Sequence, residues 1–177
     1  MKSYTWIGAL TNSALNGIPK WEGVPVLLAR VSMGVFFAIS GGNKLFVPAH
    51  HKEMLSTLTD AGIAFPHFMT YFVSGVEFVC GLFLVVGFLS AVCCIALSIA
   101  MLVAIVTVQP GTIPSGLSAL DWLDDFLYLP EVMYILVFLW LLVSGPGRLS
   151  IDHWLWRRLS SSEANDRNRP VPVVRRK

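Results

Sequence analysis

The sequence predicts an all-α transmembrane four-helix bundle with interfacial amphipathic helices. Three observations carry that prediction. First, residues 24–46, 67–88, 89–108 and 128–144 form four strongly apolar stretches, each near the ~20 residues with which a helix crosses a hydrocarbon layer of ~30 Å. Second, the 177 residues are 55% hydrophobic and only 14% charged, with a mean hydropathy of +0.66, whereas a soluble domain carries about 25% charged residues. Third, Arg30, Lys44, Glu77 and Glu131 sit inside or beside those stretches. A charge there costs on the order of 3 kcal/mol on insertion scales. A lipid-facing surface would not keep such residues, so they are expected to face the protein interior.

The length suits one small bundle. Residues 1–23 read as a cytoplasmic or interfacial lead-in, with Trp6 and Trp21 suited to the headgroup level. Residues 24–159 make up the membrane domain, and the polar, proline-containing stretch 160–177 reads as a basic disordered tail. No cleavable signal is expected, because Lys2 is the only early basic residue and the stretch after it is mixed with Thr, Asn and Ser.

Charge is unevenly distributed. Arg148, Arg157, Arg158, Arg167, Arg169, Arg175, Arg176 and Lys177 crowd the end of the chain. The segment 109–131 has no Lys or Arg and carries Asp121, Asp124, Asp125 and Glu131. Short loops rich in positive charge mark the cytoplasmic side. Four spans place both termini there, in a bacterial cell (inner) membrane, with the acidic segment outside. The loop 47–66 is near neutral and does not oppose this. A basic tail beside a bilayer argues for topology and anionic-lipid contact rather than nucleic-acid binding.

In the first span, Arg30, Gly34, Phe37, Gly41 and Lys44 share one helical stripe. Small residues let membrane helices approach closely, so the stripe reads as a buried face. In the second span Ser74, Glu77, Gly81 and Phe88 recur at helical spacing. Glu77 lies near its middle and needs a cation or a proton. Arg30 and Lys44 are the span cations within reach of an antiparallel neighbour, and spacing alone leaves the choice between them open. The third span is uncharged, with Ala96, Ala100 and Ala104 as packing surface.

From Leu117 an apolar stripe of Leu117, Leu120, Leu123, Phe126 and Leu127 opposes Asp121, Asp124 and Asp125. This predicts an amphipathic helix on the outer surface. Pro130 suits the first turn of the fourth span, which Gly145-Pro146-Gly147 stops. Ser150 then caps a short interfacial helix with Asp152 in its first turn. Arg148, four residues from Asp152, is placed to pair with it or to bind a lipid or quinone headgroup.

Cys80, Cys93 and Cys94 all fall within spans and show no C-x-x-C spacing, which suits small apolar filling residues. His50, His51, His67 and His153 all lie away from mid-span. A membrane haem takes axial ligands from the spans, so no haem, iron–sulfur or metal site is expected. Adjacent His50 and His51 diverge, which makes a loop site with Glu53 a poor one.

The stretches LLARVSMGVFFAISGGNKLF, VEFVCGLFLVVGFLS and LLVSGPGRLSIDHW together resemble the DoxX family of small four-span membrane proteins, over about residues 27–154. The run G-P-G-R-L-S-I-D is the most specific of these. Two features depart from the family pattern: Phe88-Leu89-Ser90 follows Gly87 where the family often has a basic residue, and the amphipathic segment 117–129 is long. The resemblance implies a membrane subunit of a redox complex, akin to the small subunits of a thiosulfate:quinone oxidoreductase. In that role Glu77 would give or take a proton at a bound quinone or lipid. Arg30, Lys44 and Arg148 would bind the head, and a partner protein would supply the electrons. A scaffold or assembly role and a small proton-coupled transporter are the alternatives.

Overall fold

The computed structural model describes residues 23–107, 113, 114, 116–147 and 149–167, with backbone alone at 159 and 161–167. The lead-in 1–22, Arg148 and residues 168–177 lie outside the described residues. Seven helices form among those described: α1 (Gly23–Phe46), α2 (Pro48–Asp60), α3 (Pro66–Val86), α4 (Ser90–Thr107), α5 (Ala119–Tyr128), α6 (Pro130–Ser144) and α7 (Ile151–Arg167).

Proline and glycine set several of the boundaries. Pro48, Pro66 and Pro130 open α2, α3 and α6, where the missing N–H costs nothing and the fixed φ suits a first turn. α3 ends in a Schellman motif: Gly87 N–H donates to the Leu84 carbonyl and Phe88 N–H to the Phe83 carbonyl. Gly87 needs its φ of 70° to do so.

α1, α3, α4 and α6 run alternately between two ends of an antiparallel bundle. One end gathers the start of α1, the α3–α4 turn and the end of α6, and is called here the Arg30 end. The other is the Lys44 end. α1 and α3 make the closest pair, because glycine removes the side chains between them. A Cβ on Gly34 would fall 2.8 Å from the Gly81 carbonyl oxygen, and one on Gly41 would fall 2.7 Å from that of Ser74. Gly81 in turn lies against the Ala38 backbone. α4 and α6 form the second close pair. Phe37, Leu84, Cys93, Cys94, Leu97, Met101, Phe138 and Leu141 fill the space between the pairs. The Phe37 and Phe138 rings pack 5.4 Å apart.

The outer faces are apolar. Leu28, Ile39, Phe72, Ile99, Val106 and Val143 are all more than half exposed, an arrangement that suits lipid and not water. α1, α3 and α4 are each long and apolar enough to cross a membrane, and α5 with α6 makes a fourth span if the bent pair counts as one. The molecule is a multi-pass all-α membrane bundle.

Two elements, α2 and α7, differ from the sequence expectation, and the break before Pro130 falls where the amphipathic helix was expected to give way to the fourth span. The loop 47–66 folds largely into α2, opened by Pro48 and held by Leu58, which is buried. The polar residues around Leu58 hide that helix from a hydropathy reading. The fourth span is bent by 69° between α5 and α6. Pro130 lacks an amide N–H and disfavours helical geometry at the residue before it, and Leu129 is extended with ψ 125°. α7 runs on to Arg167, past the point where the tail was expected to lose structure.

Replacing Gly81 with Val should force α1 and α3 apart, with an overpacking cost of about 1–3 kcal/mol. Gly75→Ala, at a helical site with nothing within 4 Å, should instead be neutral or slightly stabilising. Thermal unfolding of the two variants in detergent compares these outcomes.

Candidate functional site

The tight α1–α3 contact sets the position of Glu77. A Cβ on Gly41 would lie 2.9 Å from the Glu77 Cβ, so the carboxylate emerges beside the last turns of α1. Lys44, one turn beyond Gly41, turns back and its Nζ donates to Glu77 Oε2 at 2.6 Å. The Glu77 side chain is 3% exposed and that of Lys44 is 25% exposed. The ion pair thus has one buried member and one that reaches a surface. Glu77 stands near the middle of α3 but close to the Lys44 end of α1.

Above the pair, α2 folds back over the end of α1. Ser40, Asn43, Lys44, His50, Glu53, Met54 and Thr57 line a cleft of about 410 Å³ between them. His50 stands 3.7 Å from Glu53. His51 turns the other way: its Nδ1 meets the Lys44 carbonyl at 3.0 Å and its ring packs 4.5 Å from that of Tyr71. The adjacent histidines therefore diverge. Among the described residues no three His, Cys, Asp or Glu side chains gather as a metal site would require.

Arg30 does not join this site. It lies about 21 Å away along α1, at 1.5 Å per residue. Its guanidinium donates to the Pro146 carbonyl and, at 2.6 Å, to the Leu149 carbonyl. Gly87 leaves the room that the guanidinium occupies. Asp152 completes the knot. Its Oδ1 accepts from Leu89 N–H at 2.8 Å and its Oδ2 from Ser90 N–H at 2.9 Å, while its own N–H donates to the Gly87 carbonyl at 3.0 Å. The side chain thereby caps α4 and holds Leu89 at its φ of 48°. Ser150 caps α7 by accepting from His153 N–H at 3.1 Å. The sequence offered Asp152 a pairing with Arg148, and the described partners of its oxygens are these two backbone amides. Arg148 itself lies outside the described residues.

Of the four sequence candidates, the structure thus brings together Glu77 and Lys44, and sets Arg30 in a separate structural knot. The pairing of Lys44 with Glu77 answers the choice that spacing left open. Of the cleft residues on α2, His50 and Glu53 are named by the sequence only as a poor metal site, and Met54 and Thr57 go unmarked because the segment reads as loop. Cys80 on α3 also meets Cys93 on α4, where the two thiols interact. A separation of thirteen residues across a helix turn gave no sign of that contact. Cys93 and Cys94 are buried in the core.

A bundle with apolar outer faces, a glycine-tight helix pair and an intramembrane ion pair under a cleft defines a small multi-pass membrane protein. Residues 25–110, which span α1 to α4 and include Arg30, Lys44 and Glu77, match the family model described as DoxX. An uncharacterised membrane protein of Mycobacterium tuberculosis is 29% identical over 163 residues, covering 88% of this chain and 99% of that protein. Nearly half of the chain is thus similar to the DoxX family. No solved structure matches it.

Lys44→Met leaves the buried Glu77 without its cation and should destabilise the bundle by about 3–5 kcal/mol. Lys44→Met combined with Glu77→Leu should recover most of that loss. The midpoint of thermal unfolding in detergent, measured for both single variants and the double, gives the coupling. Asp152→Ala should cost ~1 kcal/mol through loss of the α4 cap, read in the same melt.

Proposed function

We propose that this protein is an integral membrane subunit of a redox complex that holds the polar head of a quinone or lipid in the cleft above Lys44 and Glu77. The observation that carries this reading is the asymmetry of the ion pair. Glu77 is sealed between helices, while its partner Lys44 forms part of the cleft wall. A head lodged there meets an ammonium donor at once and a carboxylate behind it. Binding sites of this kind need a shaped cavity and a few placed polar groups.

For a quinone, Lys44 donates to a carbonyl oxygen. Reduction to the quinol takes two electrons and two protons. The electrons come from a partner oxidoreductase, since quinone chemistry belongs to the cofactor and the protein supplies position and charge. The Glu77 carboxylate beside Lys44 would pass protons, one at a time, between the cleft and an oxygen of the head. Arg30 drops out of head binding because both its assigned donors serve backbone carbonyls. Arg148, assigned a lipid or quinone headgroup by the sequence, lies outside the described residues and is no part of this cleft.

The basic chain end supports a topology with the Arg30 end on the cytoplasmic side of a bacterial inner membrane. The cleft then opens on the opposite side, the side that sequence charge assigns to the acidic segment carrying α5.

A scaffold role is the second reading, favoured by one observation: the 2.6 Å Lys44–Glu77 contact already satisfies both charges and pins α1 to α3. The two readings separate on one experiment. Mild purification followed by lipid extraction and mass spectrometry should find about one quinone per chain in the wild type and little in a folded Glu77→Gln variant. Quinone absent from both well-folded preparations would sink the quinone reading. Full activity of the parent complex with Glu77→Gln would establish the scaffold.

A further inference from the structure

We infer that Cys80 and Cys93 are a disulfide-forming pair, oxidised when a lipid-soluble organic hydroperoxide reaches Cys80 from the bilayer. The chain has three cysteines, and all are free thiols. Residues 87–89 alone separate α3 from α4, and a connection that short keeps two helices side by side. Cys80 lies six residues before the end of α3, and Cys93 three after the start of α4. Cys80 packs against the core cluster of which Cys93 is a member, and the two thiols interact. The Cys93 thiol donates to the Phe88 carbonyl, 3.9 Å from its sulfur. The lone pairs of that sulfur are thereby left to the Cys80 S–H.

The two thiols are unequally placed. Cys93 and Cys94 are each 2% exposed, whereas Cys80 is half-buried. Reactive thiols are partly exposed, and fully buried ones are inert. Val79 and Leu82, beside Cys80 on α3, are exposed on the outer apolar surface, and no cysteine lines the cleft above Lys44. An oxidant dissolved among acyl chains therefore meets Cys80 first. Attack of the Cys80 sulfur on the hydroperoxide breaks its O–O bond. Cys80 becomes a sulfenic acid, and the alcohol that leaves carries off the thiol proton. The Cys93 sulfur then displaces the hydroxyl group, which departs as water with the Cys93 proton, and the S–S bond closes. Two thiols and one hydroperoxide thus become one disulfide, one alcohol and one water, with two electrons passing from sulfur to the peroxide. Cys94, one residue further along α4, points about 100° away around the helix and stays a thiol.

The test uses the full chain, reduced in a neutral detergent and exposed to cumene hydroperoxide or to hydrogen peroxide. The protein is quenched in acid, unfolded, labelled with N-ethylmaleimide and weighed intact, and peptides mapped without reduction locate any bridge. The reduced chain should take three labels, one for each cysteine. After cumene hydroperoxide only Cys94 should take a label, and the bridge should join Cys80 to Cys93. With each rate divided by that for glutathione, cumene hydroperoxide should act about tenfold faster than hydrogen peroxide, because its apolar body enters the hydrocarbon phase. Cys93→Ser should form no bridge within the chain and leave Cys80 as a sulfenic acid that dimedone traps, while Cys94→Ser should still lose both remaining labels. Three labels retained under conditions that oxidise glutathione overturn the inference, as do a wild-type bridge from Cys80 to Cys94, a bridge formed only between chains, or equal normalised rates for the two peroxides. Should Cys93→Ser fail to fold, the wild-type label count and mapped bridge decide alone. None of these readouts depends on quinone or on the Lys44–Glu77 pair, so the inference stands or falls separately from the proposed function.

Discussion

Glycine contact between α1 and α3 is the constraint on which the rest depends. Gly34 against Gly81, and Gly41 against Ser74 and Glu77, bring two backbones closer than side chains would allow. In a bilayer, where apolar burial gives little drive between helices, such close approach supplies the attraction. It also fixes a register. With Gly41 beside Glu77, the next turn of α1 carries Lys44 to the carboxylate. An ion pair that would be hard to place on two loosely packed helices follows from the backbone fit.

The bundle separates its charges by task. At the Arg30 end a buried guanidinium and a half-buried carboxylate do not meet as a pair. Each instead binds backbone: Arg30 binds the carbonyls after α6, and Asp152 binds the amides before α4. This arrangement suits physical chemistry at a helix boundary, where orphan carbonyls and amides are the groups most in need of partners. It joins three chain segments without a disulfide. At the Lys44 end the charges face one another and leave one side open to a cleft. The same residue types thus bind backbone at one end and pair with each other at the other.

Much of this was legible in the sequence. The stripe Arg30, Gly34, Phe37, Gly41 is the buried face of α1, and helical spacing was enough to find it. Thr70, Ser74, Glu77, Gly81 and Leu84 are buried on α3, of which three stood in the predicted stripe. The amphipathic α5 begins at Ser118, whose oxygen accepts from Asp121 N–H. What remained hidden was non-local. Periodicity says that Lys44 and Arg30 share a face, but not which one stands level with Glu77. That depends on the glycine register between two helices. Nor does hydropathy reveal α2, whose stability comes from Leu58 and its seat on α1 and α3 rather than from apolar content. The role of Asp152 needed the α3–α4 turn, more than sixty residues away, to be in place.

The bend before Pro130 leaves the molecule with sides of unequal height. α1 has 24 residues and α6 has 15, which at 1.5 Å per residue are about 36 Å and 22 Å. A bilayer of uniform thickness cannot match both. Lipids along the α6 flank must shorten or compress, while those along α1 stretch or let it tilt, at a fraction of a kcal/mol per Å of mismatch. The protein is thus a wedge in the plane of the membrane. Its thin flank is the side on which a neighbouring protein would relieve the most strained lipid, so membrane elasticity itself gives the bundle a preferred edge for company.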